Sequence, residues 1–230
     1  MIARQPRANA PMTKTLTFLH TSPVHIATFD RLLAEMAPTI PTRHVVDEDL
    51  LRDARASGLT PEVARRIDKA ILSAMAGGSA VVLCTCSTIG ECAERAGRSA
   101  GHPVLRVDRA MAERAVAAGG RIVVAATLAS TIAPTRELLL EVAHQAGRTV
   151  AITVALIEDA WPHFERGDNA GYRQAIAARL RDAAPTADAI VLAQASMADA
   201  AASCPDLPVP VLSSPRPGLE AAIRAYRASA

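Results

Sequence analysis

Residues 80–90 read AVVLCTCSTIG and residues 189–199 read AIVLAQASMAD. Each opens with an unbroken apolar run of strand length and closes in small polar residues of the kind that begin a helix. The two overlay without a gap at an offset of 109 residues. Two further pairs keep the same order: FLHTS (18–22) with VAATL (124–128), and HPVLRVD (102–108) with VPVLSSP (209–215), at offsets of about 106 and 107. Such self-similarity means that one supersecondary unit occurs twice.

Outward from these segments, strand-like runs recur at 16–20, 43–46, 80–84, 104–107, 122–126, 150–155, 189–193 and 209–212, separated by longer amphipathic Ala/Leu/Arg stretches. Alternation at that spacing implies βαβ crossovers, and near-continuous apolar strands belong to parallel sheets covered on both faces. The sequence therefore predicts an α/β protein of two pseudo-symmetric Rossmann-like lobes, each a four-stranded parallel sheet flanked by helices. Open α/β sheets bind ligands at the carboxyl ends of their strands. Two facing units put the site in the cleft between lobes.

Composition narrows the function. A chain of 230 residues buries a core without disulfide staples. Half of it is hydrophobic but only 3% aromatic, so the core is Ala, Val, Leu and Ile, and stacking platforms for bases or sugars are not expected. With 25 Lys+Arg against 23 Asp+Glu, spread evenly, no basic patch exists for nucleic acid. No apolar run approaches the roughly 20 residues that cross a bilayer. Residues 1–13 carry arginines without an apolar stretch and read as a disordered tail rather than a signal peptide, with Met12 a candidate start. A cytoplasmic protein is expected, with Cys84, Cys86, Cys92 and Cys204 as free thiols.

At CTCSTIG the chain resembles the aspartate/glutamate (Asp/Glu/hydantoin) racemase superfamily, whose two lobes each offer a cysteine at the end of the third strand, followed by a small polar residue and Thr. Cys86, Ser87 and Thr88 fit the first-half pattern, whereas the second half has Ala195 and Ser196 where a second Cys-Thr would stand. HTS (20–22), VVDEDLL (45–51), PVLRVDRAMAERAV (103–116), ATLASTIAPT (126–135), LAQASM (192–197) and PVLSSP (210–215) extend the likeness over about residues 16–215. The resemblance implies a first lobe of 14–107 plus 216–230 and a second of 108–215, because the last helix of each repeat packs on the opposite lobe. It further implies a homodimer, no cofactor and no metal, and a small carboxylic or amino acid as substrate. Consistently, the sequence has no dinucleotide fingerprint, P-loop lysine or convincing metal spacing.

Cys86 stands where strand gives way to helix, and a helix N-terminus favours an anion, thiolate or carboxylate alike. It is the expected acid/base or nucleophile, against the plainer reading of a buried apolar thiol. Cys84 and Cys92 are expected to pack, a zinc site with Cys86 lacking its fourth ligand, and Cys204 to be incidental. Thr21, Ser22, Thr127, Ser130 and Thr131 open helices and either cap them or hold a carboxylate together with Ser87 and Thr88. Gln194, Ala195 and Ser196 are expected on the opposite wall. His20, at the end of the first strand, is read as either a substitute acid or base for the missing cysteine or a loop hydrogen-bonder. Asp47, Glu48 and Asp49 are read as capping acids despite nearby His44. Arg106 is either a carboxylate clamp or the partner of Asp108 or Asp47, and Trp161 with Phe164 is core or a cap over the cleft.

Inverting a stereocentre without a cofactor needs an acid and a base on opposite faces, and Ala195 transfers no proton. One thiol still serves one-faced chemistry, such as protonation after decarboxylation or addition to an activated double bond. In the decarboxylase branch that the chain resembles in principle, the retained cysteine lies in the second half rather than the first. Racemisation, isomerisation and decarboxylation therefore stay open, beside a binding protein that keeps the cleft without the chemistry.

Overall fold

The computed structural model describes residues 14–229; the expected disordered tail at 1–13 and the candidate start at Met12 lie outside the described residues. The first half runs β1 (Thr15–His20), a 3-10 turn (Pro23–His25), α1 (Ile26–Met36), β2 (Thr42–Val46), α2 (Glu48–Ser57), α3 (Pro61–Ala76), β3 (Ser79–Cys84), α4 (Ser87–Ala100), β4 (Val104–Arg106) and α5 (Arg109–Ala118). The second repeats it as β5 (Arg121–Ala126), a 3-10 turn (Ala129–Thr131), α6 (Ile132–Gln145), β6 (Ala151–Leu156), α7 (Trp161–Glu165), α8 (Asn169–Ala183), β7 (Ala189–Leu192), α9 (Ala198–Ala201), β8 (Val211–Leu212) and α10 (Pro215–Ser229).

The chain forms two four-stranded sheets of the same topology, β2-β1-β3-β4 and β6-β5-β7-β8, with every pairing parallel. Period-two side-chain alternation feeds both faces of each sheet. In β1, Leu16 and Phe18 pack with α1 and α10, while Leu19 joins the opposite cluster under α3 and α4. In β5, Ile122, Val124 and Ala126 face α5 and α6, while Val123 and Ala125 face α8. Short Ala and Val side chains on β5 and β7 let the covering helices approach closely, as a core poor in aromatics requires. Strand β8 is shorter than the expected 209–212 because Pro208 and Pro210 bring no N–H to a ladder.

The helix after the last strand of each sheet crosses to the other sheet: α5 packs on α6 and β7, and α10 packs on β3 and α1. The two crossing helices touch each other, and Arg114 on α5 meets Glu220 on α10 at 2.5 Å. At Gly218 the α10 backbone lies so near the end of the first sheet that a Cβ would fall 2.3 Å from the Val107 carbonyl oxygen. Gly218→Ala is expected to lever α10 away and lower stability by about 1–3 kcal/mol, as overpacking does. Thermal unfolding followed by circular dichroism checks this, the predicted outcome being a lower Tm with unchanged native helix content.

Candidate functional site

In both sheets the two central strands send the chain toward opposite edges, β1 to β2 and β3 to β4 in the first and β5 to β6 and β7 to β8 in the second, so the loops after them diverge. These divergence points face each other across a cavity of about 480 Å³. Thr21 and Ser22 line it from the end of β1, Thr85 to Thr88 from the β3–α4 junction, Ser130 and Thr131 from the turn after β5, and Ala193 to Ser196 from the end of β7. All the residues expected at the site lie on this lining except His20 and Thr127.

Cys86 is the N-cap residue of α4, with extended backbone (φ −114°, ψ 116°) and no side-chain capping bond. Its half-buried thiol is therefore free of the helix, next to the unpaired amides of the first turn. The other cysteines are withdrawn. Cys84 is wholly buried, its thiol 3.6 Å from the Cys86 carbonyl oxygen, and burial pushes its pKa far up. Cys92 and Cys204 are buried as well, and burial raises both thiols. Among the described residues no group of three or more His, Cys, Asp or Glu side chains is arranged to hold a metal ion.

His20 is wholly buried behind the cavity wall rather than in it. Its Nδ1 lies 2.8 Å from the Thr85 hydroxyl and its Nε2 2.8 Å from His44 Nδ1, while His44 Nε2 lies 2.9 Å from Asp30 Oδ1. The rings of His20 and His44 lie nearly coplanar with centroids 5.1 Å apart, and Phe18 stacks on His44 at 4.8 Å. A carboxylate only accepts, so Asp30 sets the direction of the chain. His44 donates through Nε2, His20 donates through Nε2 to His44, and Thr85 donates to His20 Nδ1. The expectation of His20 as a substrate-facing acid or base is thus corrected: burial lowers its pKa to about 3, with His44 and His25 adding smaller contributions, and both ring nitrogens are engaged.

Thr127 departs from expectation in the same way. It is buried, and its backbone N–H donates to Gln194 Oε1 at 2.7 Å. Gln194 Nε2 donates to the Thr127 hydroxyl at 2.9 Å, and the Leu128 N–H reaches the same Oε1 at 3.2 Å. Gln194 therefore borders the cavity with its amide turned inward, closing the loop after β5 as Thr85 closes the loop after β1. Tyr172 joins this cluster, its hydroxyl 3.3 Å from Thr127 Oγ1 and 3.0 Å from Ser196 Oγ.

Arg106 is not a clamp in the cleft. Its guanidinium makes a bidentate pair with Asp108, at 2.7 and 3.0 Å, and both side chains are almost fully buried. Nη2 also reaches the Ser87 carbonyl at 3.4 Å, bracing the cysteine loop from behind. Asp47 caps α2, accepting from the Leu50 N–H.

The sequence reading missed the α2 face and part of the β1 turn. Glu48, Leu51, Arg52 and Arg55 line the cavity, as do Val24 and His25. The α2 residues fall at i, i+3, i+4 and i+7, one helical face, a spacing readable once α2 is placed after β2. Burial lowers the pKa of His25. Trp161 and Phe164 border the cavity as well, and Phe164 also packs on the core under α8.

Comparison with known families matches residues 6–222 to "Asp/Glu/Hydantoin racemase". Among solved structures, an aspartate racemase homologue from Pyrococcus horikoshii superposes with a TM-score of 0.68 at 12% identity, covering 93% of this chain and 99% of the other. A glutamate racemase from Bacillus anthracis gives 0.65 at 15% identity, covering 94% and 83%. Arylmalonate decarboxylase gives 0.60 at 18% identity, covering 94% of each chain. At these identities the likeness is one of fold. No curated protein matches the sequence.

The buried histidine chain makes a measurable prediction. Nitrogen-15 NMR is expected to find both His20 and His44 as the Nε2–H tautomer, with His20 neutral across pH 5–8. Because its folded pKa lies near 3, below the ordinary 6.5, the unfolded chain takes up a proton that the folded one refuses. The stability contribution is complete above about pH 6.5 and declines as pH falls from there toward 3. His20→Phe, which cannot be protonated, is expected to flatten this part of the stability-versus-pH curve.

Proposed function

The chain belongs to the Asp/Glu/hydantoin racemase family, and on that premise we propose that it is a cofactor-independent enzyme moving a proton at the carbon beside the carboxylate of a small acid, with the Cys86 thiol as the group that transfers it. The observation that carries this reading is the position of Cys86. It is the half-exposed cysteine, it borders the cavity, and it caps a 14-residue helix with no competing hydrogen bond of its own. The substrate carboxylate takes the orphan amides at the start of α4, where the helix dipole favours negative charge. The hydroxyls of Ser87 and Thr88 stand beside them.

This arrangement supports chemistry on one face of the substrate. Across the cavity the position equivalent to Cys86 is Ala195, which contributes space and no proton. Thiol-mediated protonation of a planar enolate from the Cys86 side yields one enantiomer, the stereochemical course of a decarboxylase or isomerase. Racemisation requires a second group, and His25, an imidazole bordering the same cavity, is the side chain we propose for it. Both proposals keep the chain in a small-acid branch of its family. We also carry forward as proposals that it acts as a homodimer and in the cytoplasm.

The test is turnover in deuterium oxide with L- and D-aspartate, L- and D-glutamate and phenylmalonate. The expected result is deuterium at the α-carbon of at least one acid, reduced by a factor of 10² or more in Cys86→Ala, the scale of a lost general acid or base. Deuterium in recovered substrate with scrambled configuration marks racemisation, to be abolished also in His25→Ala. Carbon dioxide release with a single product enantiomer marks decarboxylation, and His25→Ala then leaves the enantiomer unchanged. Ligand binding without exchange or carbon dioxide release from any of these acids would overturn the enzymatic reading in favour of a binding protein.

A further inference from the structure

Resting on the reading of this cavity as the substrate site, we propose that it takes a carboxylic acid bearing a flat apolar substituent, which stacks on Trp161 and Phe164. Aromatic residues are only 3% of the chain, and its single tryptophan is spent at the cleft rather than in a core. Trp161 and Phe164 are each half-buried, with ring centroids 4.9 Å apart and planes within 26°. Composition alone argued against any stacking platform; position reverses that argument.

The pair is held in place before any ligand arrives. The Trp161 indole N–H donates to Glu165 Oε1 at 2.9 Å, which fixes the ring along α7. Phe164 packs on Tyr172 with centroids 5.2 Å apart, and the Tyr172 hydroxyl is tied to Ser196 on the cavity wall. A platform already ordered loses little freedom on binding, and aromatic stacking adds to the burial of apolar area. Val24, Leu51 and Leu128 complete an apolar surround in the same cavity.

The charged groups of the cavity argue against the alternative, a second carboxylate. The Arg52 guanidinium is already engaged by Asp49 and Asp53. Glu48 brings a negative charge to the same wall. Arg55 is the remaining cation there, exposed to solvent and with no ion-pair partner among the described residues. One exposed guanidinium sharing a helical face with a resident carboxylate is a poor receptor for a second anion, whereas the aromatic wall offers apolar surface.

Trp161, as the only indole, reports on its own occupancy. The full chain is titrated with phenylacetate, acetate and succinate by tryptophan fluorescence and by calorimetry, and each acid is tested for protection of Cys86 against iodoacetamide. Phenylacetate is expected to change the emission saturably, to bind at least tenfold more tightly than acetate or succinate, and to protect Cys86. In Trp161→Ala, calorimetry is expected to show phenylacetate weakened at least tenfold and acetate unchanged, the latter also showing that the variant folds. Trp161→Phe is expected to restore most of the difference. Succinate binding as tightly as phenylacetate, or phenylacetate binding Trp161→Ala as well as the parent, would overturn the proposal. If acetate protects Cys86 and phenylacetate binds no better, the aromatic platform fails while the site stands. If no acid protects Cys86, the site itself fails and this proposal with it.

Discussion

A parallel sheet whose two central strands send the chain to opposite edges leaves a gap between their carboxyl ends, because the two departing loops part there. No sheet side chain fills such a gap, so backbone amides and short hydroxyl side chains face whatever enters it. Here that constraint operates twice, and the two gaps open on a common cavity. The position of Cys86, the exposure of the first turn of α4 and the reach of Ser130 and Ser196 all follow from where the strands diverge. The order of the strands therefore does more for the site than any one residue in it.

Each half must also hold its diverging loops still, and the two use different chemistry. In the first half Thr85 donates its backbone N–H to the Leu19 carbonyl and its hydroxyl to the His20 ring, which is backed in turn by His44 and Asp30. In the second half one side-chain amide, that of Gln194, gathers two backbone N–H groups and the Thr127 hydroxyl. Thr85 and Gln194 are equivalent in the repeat, so a single structural requirement has been met by a hydroxyl plus an imidazole relay on one side and by a carboxamide on the other. Buried polar groups of this kind are stable only when all are satisfied.

The divergence in latching explains which parts of the site could be read from the sequence. The repeat, the two parallel sheets it implied and the loops at the strand ends depend on local pattern, and Cys86, Ser87, Thr88, Ala195 and Ser196 came with them. His20 and Thr127 were placed at the correct strand ends but on the wrong side of the wall, since a residue at a strand terminus faces either cavity or core according to a half-turn that periodicity does not fix. The helical face of Glu48, Leu51, Arg52 and Arg55 was invisible for a different reason. Its residues look like any solvated amphipathic surface until α2 is known to lie beside the mouth of the cavity. Arg106 suited a carboxylate clamp or an ion pair with Asp108 or Asp47 equally well, and the buried geometry of the Asp108 pair decided between them. Trp161 and Phe164 carried no direction at all, because aromatic residues suit core and cleft equally.

The exchanged helices tie the two repeats into one folding unit. Since α5 covers the second sheet and α10 covers the first, neither half could close its own core as a separate polypeptide. Each sheet therefore owes its cover to a helix from the other repeat, and a substitution in α10, at the far end of the chain, acts on the sheet that carries Cys86.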